Sequence, residues 1–70
     1  MNKGYYKYFL EVTLCGREEN IHNNFSFSSR NKAIAHAREF CDIVMPQKAR
    51  MVLMHYDEND YNDKNETILL

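Results

Sequence analysis

The sequence predicts a two-layer α+β domain, ββαββ in order, with a single helix packed on one face of a four-stranded antiparallel sheet. Three observations carry that prediction. The run YYKYFLEVTLC, from Tyr5 to Cys15, alternates with period two and is the longest β-prone stretch of the chain, as a half-buried strand requires. Between Arg30 and Met45 the apolar residues recur every three or four positions, which is the spacing of one helix stripe. Strand-like runs stand on both sides of that helix, two before it and two after.

The first strand places Tyr6, Tyr8, Leu10, Val12 and Leu14 on one side. Tyr5, Lys7, Phe9, Glu11, Thr13 and Cys15 fall on the other. In the following CGREEN, Gly16 and Asn20 supply turn chemistry and Arg17, Glu18 and Glu19 are expected in solvent. The chain is expected to return through IHNNFSF as the second strand of an antiparallel hairpin. Ile21, Phe25 and Phe27 would share one face, with His22, Asn24 and Ser26 on the other and Asn23 interrupting the apolar side.

Ser28 or Ser29 is positioned to accept a hydrogen bond from an unpaired N–H at the helix start. The stripe consists of Ala33, Ile34, Ala37, Phe40, Cys41 and Val44. Arg30, Lys32, His36, Arg38, Glu39 and Asp42 are expected largely away from it. Arg38 and Asp42 form an i,i+4 pair worth a few tenths of a kcal/mol. Pro46 ends the helix, because it disfavours helical geometry at Met45 and has no N–H to donate. Small residues at 33 and 37 let the helix axis approach the sheet closely.

ARMVLMHY is read as the third strand. Its faces are ambiguous, since Ala49, Met51, Leu53 and His55 alternate with Arg50, Val52, Met54 and Tyr56, and both sets are partly apolar. DENDYNDKNE is rich in turn formers and reads as a loop, leaving Glu66 to Leu70 as a short fourth strand. A spatial order of 2-1-3-4 makes every neighbour antiparallel and puts the first strand in the interior of the sheet.

Seventy residues allow one domain, which buries only about 60% of the surface of its unfolded chain. Apolar residues at 44%, charged residues at 27% and nine aromatics (five Tyr, four Phe) argue against disorder. The formal net charge of -1 divides into about +3 over residues 1–56 and -4 over 57–70. Neither part has the strongly basic composition that by itself signals phosphate binding. The start MNKGYYKY lacks the apolar core of a signal peptide and no run is long enough to span a membrane. A cytoplasmic protein with free thiols at Cys15 and Cys41 and no membrane association is the expectation.

Catalytic and metal chemistry find little footing. His22, His36, His55, Cys15 and Cys41 stand in no C-x-x-C or H-x-x-x-H spacing, so neither a metal nor another cofactor is expected. With two glycines in total, phosphate cradles and oxyanion turns lack their usual backbone, and no enzyme activity is expected. The acidic segment mismatches a calcium loop: counted from Asp57, Tyr61 takes position 5, Ile68 takes position 12, and no glycine occurs. Asp57, Glu58, Asp60 and Asp63 remain as a secondary acidic contact for a basic partner.

The outward side of the sheet carries the functional expectation. Tyr5, Lys7 and Phe9 with Arg50, Met54 and Tyr56 make a patch of aromatics, Met and Arg, joined by Val52 and His22. That is the composition of interface cores. Two readings compete for it. One is protein association, as a homodimer or by docking to a larger complex as its inhibitor or accessory regulator. The other is single-stranded nucleic acid, with Tyr5, Phe9 and Tyr56 as stacking platforms and Lys7, Lys48 and Arg50 near phosphates. The near-zero net charge and the acidic segment favour a protein partner over nucleic acid.

The ββαββ order with a Ser-initiated, Ala-rich helix in SSRNKAIAHA resembles several tiny phage and mobile-element proteins. Among them are some anti-CRISPR inhibitors, which act by occluding a surface on a larger complex. The resemblance is one of topology and size over most of the chain. It implies a small protein that binds another macromolecule.

Overall fold

The computed structural model describes the backbone of residues 4–57 and 60–70, and the side chains of 4–56 and 65–70. Five elements follow one another: β1 (Tyr5–Leu14), β2 (Arg17–His22), α1 (Arg30–Val44), β3 (Lys48–Asp57) and β4 (Asp60–Leu69). The strands form one antiparallel sheet in the order β2-β1-β3-β4, and α1 packs over β1 and β3. The expected fold class and strand order are therefore what the chain adopts.

The core follows from the period-two side of β1. Tyr8, Leu10 and Val12 are buried against Met51 and Leu53 of β3 and Ala33 and Ala37 of α1. Both alanines are fully buried. A larger side chain at either position would push the helix off the sheet at a cost of about 1–3 kcal/mol. Tyr6, Leu14, Ile21, Phe27, Ile34, Phe40, Cys41 and Ile68 close the edges of this layer. The ambiguous third strand is resolved by its register: Met51 pairs with Leu10 and Leu53 with Tyr8, so these four share the helix side.

Local chemistry sets the ends of α1. Ser29 is extended (φ -143°, ψ 154°) and its Oγ accepts from Lys32 N at 3.2 Å, satisfying one unpaired donor of the first turn. Arg30 opens the helix at the positive end of its dipole, an unfavourable place for a cation. Its guanidinium is met there by Glu66 of β4, with Nε donating to Oε1 at 3.0 Å and Nη2 to Oε2 at 2.6 Å. At the other end Met45 is left-handed (φ 55°) and its N–H returns to Cys41 O. The helix therefore stops at Val44, one residue short of the expected end.

The second strand departs from expectation. Strand pairing begins immediately after a two-residue turn at Cys15 and Gly16, both with positive φ (50° and 78°). That is the backbone of a type I′ hairpin, whose twist matches its flanking strands. Arg17, Glu18 and Glu19 thus lie in β2 rather than in a turn, and the strand ends at His22. Asn23 turns the chain outward: its Oδ1 accepts from Phe25 N at 3.0 Å and its Nδ2 donates to Tyr8 O at 3.3 Å. Phe27 then returns as a single bridge to Tyr6, with both backbone bonds at 2.8 Å. Phe25 stays outside at 60% exposure, so the expected Ile21–Phe25–Phe27 face does not form.

The acidic segment is the second correction. Asp60 to Asn65 belong to β4, which pairs with β3 from Asp57 to Arg50 through an irregularity between His55 and Asp57. The expected loop is mostly strand because backbone pairing with a long β3 outweighs a side-chain composition that favours turns.

Candidate docking face

Directly opposed residues on neighbouring strands point to the same side, so the registers define the face away from α1. It carries Glu18, Asn20 and His22 from β2, and Tyr5, Lys7, Phe9, Glu11 and Thr13 from β1. Lys48, Arg50, Val52, Met54 and Tyr56 join from β3, and Asn65, Thr67 and Leu69 from β4. Nothing in the described chain packs across it. The six residues expected to bind a partner, Tyr5, Lys7, Phe9, Arg50, Met54 and Tyr56, all lie there.

The face has an aromatic end and a charged end. At the first, Tyr5 and Tyr56 are opposed across β1 and β3, with ring centroids 5.1 Å apart and planes 19° from parallel. Lys7 is opposite Met54, whose sulfur accepts from Tyr56 Oη at 3.6 Å. Phe9 is flanked by Val52 on one side and stacks on His22 at 5.0 Å on the other. Such pairs turn the ring faces toward one another across the strands, each contributing about 0.5–1.5 kcal/mol beyond burial. Toward the other end, Glu11 Oε1 meets Arg50 Nε at 3.1 Å. Their side chains remain 37% and 52% exposed, so within the monomer this pair contributes little.

Beside Glu11 and Arg50 lie two solvent-open depressions of about 330 and 280 Å³, lined with polar residues including Thr13, Glu18 and Lys48. They are furrows between side chains rather than clefts that exclude water, which catalysis on a small substrate favours. Among the described residues no group of three His, Cys, Asp or Glu is placed to hold a metal ion. Cys15 is exposed in the hairpin turn, Cys41 is half-buried on α1, and both are free thiols. No described helix is long and apolar enough to cross a membrane.

The proposed acidic contact is only partly within reach. Glu58 lies outside the described residues, as do the side chains of Asp57, Asp60 and Asp63. Their backbone positions put Asp57 at the end of β3 and Asp60 and Asp63 in β4.

The perturbed ionisations lie on the helix side. Burial, and secondarily the nearby Cys41, push the Tyr8 hydroxyl above its ordinary 10.0. Tyr8 therefore remains a donor, and its Oη lies 2.6 Å from His36 Nδ1. Burial, then Asp42, raises the Cys41 thiol. Arg30 holds the Glu66 carboxyl below its ordinary 4.5. His36, expected largely away from the helix stripe, instead sits among Tyr8, Phe25 and Phe27 with ring centroids 5.0–5.8 Å away. The signal lay in its spacing, three after Ala33 and four before Phe40.

Glu11, Thr67 and Leu69 also lie on the face, outside the six expected contact residues. Glu11 reads as an ordinary solvated charge until register places it against Arg50, and Thr67 and Leu69, inside the expected fourth strand, are assigned to the face only by their register opposite Val52 and Arg50. No protein family, curated protein or solved structure matches this chain.

Proposed function

We propose that this protein is a non-catalytic docking module that engages a protein partner through its open sheet face, as an inhibitor or accessory regulator of a larger assembly. The observation that carries the reading is the gathering of Tyr5, Phe9, Val52, Met54 and Tyr56, with Lys7 and Arg50, on the one side of the sheet that α1 leaves uncovered. Aromatics, Met and Arg are the residue types that dominate binding energy at protein interfaces. An uncovered apolar sheet face of this kind is a binding surface more often than a neutral one.

A second reading, single-stranded nucleic acid, is favoured by the Tyr5–Tyr56 stack beside Lys7. Against it, Glu11 occupies Arg50 and Glu18 shares the charged end with Lys48, so fewer cations are free for phosphates.

The test is affinity recovery from cells with the wild type and with Phe9→Ser/Tyr56→Ser, folding being checked by circular dichroism. Loss of a stoichiometric protein partner from a folded variant supports docking. Unchanged recovery would remove the face as the site. Labelled single strands titrated at two salt concentrations separate the alternatives, since phosphate-driven binding weakens steeply with salt.

A further inference from the structure

We infer that the occupant of the open face is a second copy of this chain, related by a two-fold axis running along the strands midway between β1 and β3. The inference rests on the part of the docking reading that gives this face to a protein partner, and puts a second copy in place of a larger assembly as its occupant. Rotation about such an axis lays β1 of one copy over β3 of the other. Each residue then faces the cross-strand neighbour it already has within its own chain. Glu11, opposite Arg50 in the sheet, comes over Arg50 of the second copy, and Arg50 over its Glu11. The single intrachain pair becomes a square of alternating charge. Its members are half-exposed in the monomer and are desolvated only when the copies meet, which is where charge complementarity gains strength.

The apolar end is self-matching under the same rotation. Tyr5 falls over Tyr56 of the second copy and Phe9 over its Val52, two opposed pairs of the sheet. Lys7 falls over Met54, its methylene stem covering the thioether while the ammonium reaches the neighbouring Tyr rings, whose faces attract a cation. Sheets packed face to face cross at about 30°. Two residues from the midpoint at Phe9, this moves Glu11 sideways by about 3.5 Å, less than one strand spacing and within the reach of an Arg side chain. The five opposed pairs of this face, from Tyr5–Tyr56 to Thr13–Lys48, with the flanking β2 and β4 residues, cover about 1,000 Å² over the two copies, the lower bound of a specific interface. Among the described residues the buried core is seven side chains, and so small a core gains more than a large one when the second face is covered.

The experiment is sedimentation velocity of the wild type from about 1 to about 500 µM, then of Glu11→Arg and Arg50→Glu separately and in equimolar mixture. The inference expects a wild-type dimer at the upper concentrations and association at least tenfold weaker for each reversal. It expects a species of twice the monomer mass again when the two variants are mixed. In the mixture opposite charges meet only between chains, since each variant keeps like charges at 11 and 50 within itself. A wild type that stays monomeric throughout overturns the inference without recourse to any variant. So does a dimer indifferent to both reversals, which would place the contact elsewhere, such as the free edge of β4. If the wild type is monomeric yet Phe9→Ser/Tyr56→Ser abolishes recovery of a different protein, the second copy is wrong and the docking face stands. If recovery is also unchanged, both fail.

Discussion

Phe9 and Leu10 are adjacent in β1 and face opposite sides of the sheet, so their truncation separates what the fold needs from what it leaves over. Leu10 is 1% exposed, opposite Met51 and Ile21 on the helix side. Leu10→Ala removes three buried carbons beneath a helix that close-packed neighbours hold in place, a change that costs about 2–5 kcal/mol. A 70-residue domain has a total stability of about 4–10 kcal/mol, so this single change consumes a large fraction of it. Phe9 is half-buried and loses its stack on His22 and its contact with Val52, about 1–2 kcal/mol together. Urea unfolding followed by circular dichroism at about 2 µM protein reads both. At that dilution an association of copies adds nothing; at several hundred micromolar it adds to the wild type and not to Phe9→Ala, so the gap between them widens. A Phe9→Ala cost equal to or above that of Leu10→Ala at low concentration, with the denaturant slope unchanged, would refute the division of β1 into a core side and a spare side.

Three further outcomes follow from the helix and its contacts. Met45→Gly raises stability by up to about 1 kcal/mol, since Met45 is left-handed and exposed and glycine relieves the Cβ penalty at a helix C-terminus; thermal melts check it. Tyr8→Phe leaves His36 Nδ1 without its partner and lowers stability by about 1 kcal/mol in urea, with the strand and helix content unchanged. Glu66→Gln alters the acid limb of the stability curve. Because Arg30 holds the Glu66 carboxyl below 4.5, its contribution is complete above that pH and fades as pH falls through the lowered value, so the gap between wild type and variant is open at neutral pH and closes in acid.

How far the fold was legible tracks how strongly each segment's side chains had to choose a side. Tyr6, Tyr8, Leu10, Val12 and Leu14 alternate cleanly because β1 lies within the sheet under the helix, and Ala33 and Ala37 announce the close approach above them. The order β2-β1-β3-β4 followed from making every pairing antiparallel. The missed boundaries fall on the two edge strands. REENIH and DYNDKNETIL present few apolar residues to either layer, so backbone pairing alone makes them strands and no periodicity marks it. Asn23 was read as a flaw in a strand, whereas its amide ends that strand by capping Tyr8 O and bonding Phe25 N. Of the site, the six expected residues share a face because period two on β1 and β3 determines it once the helix side is known. The Glu11–Arg50 pair depends on register, which no single strand encodes.

Photo-cross-linking from inside the cell tests the central claim most directly. A benzophenone amino acid is placed in turn at Lys7, on the aromatic half of the open face, and at Arg38, exposed on the outer surface of α1. The account predicts one discrete protein adduct from position 7, of twice the chain mass where the occupant is a second copy, and none from position 38. Adducts from position 38 alone, or equal and diffuse labelling from both, would contradict it.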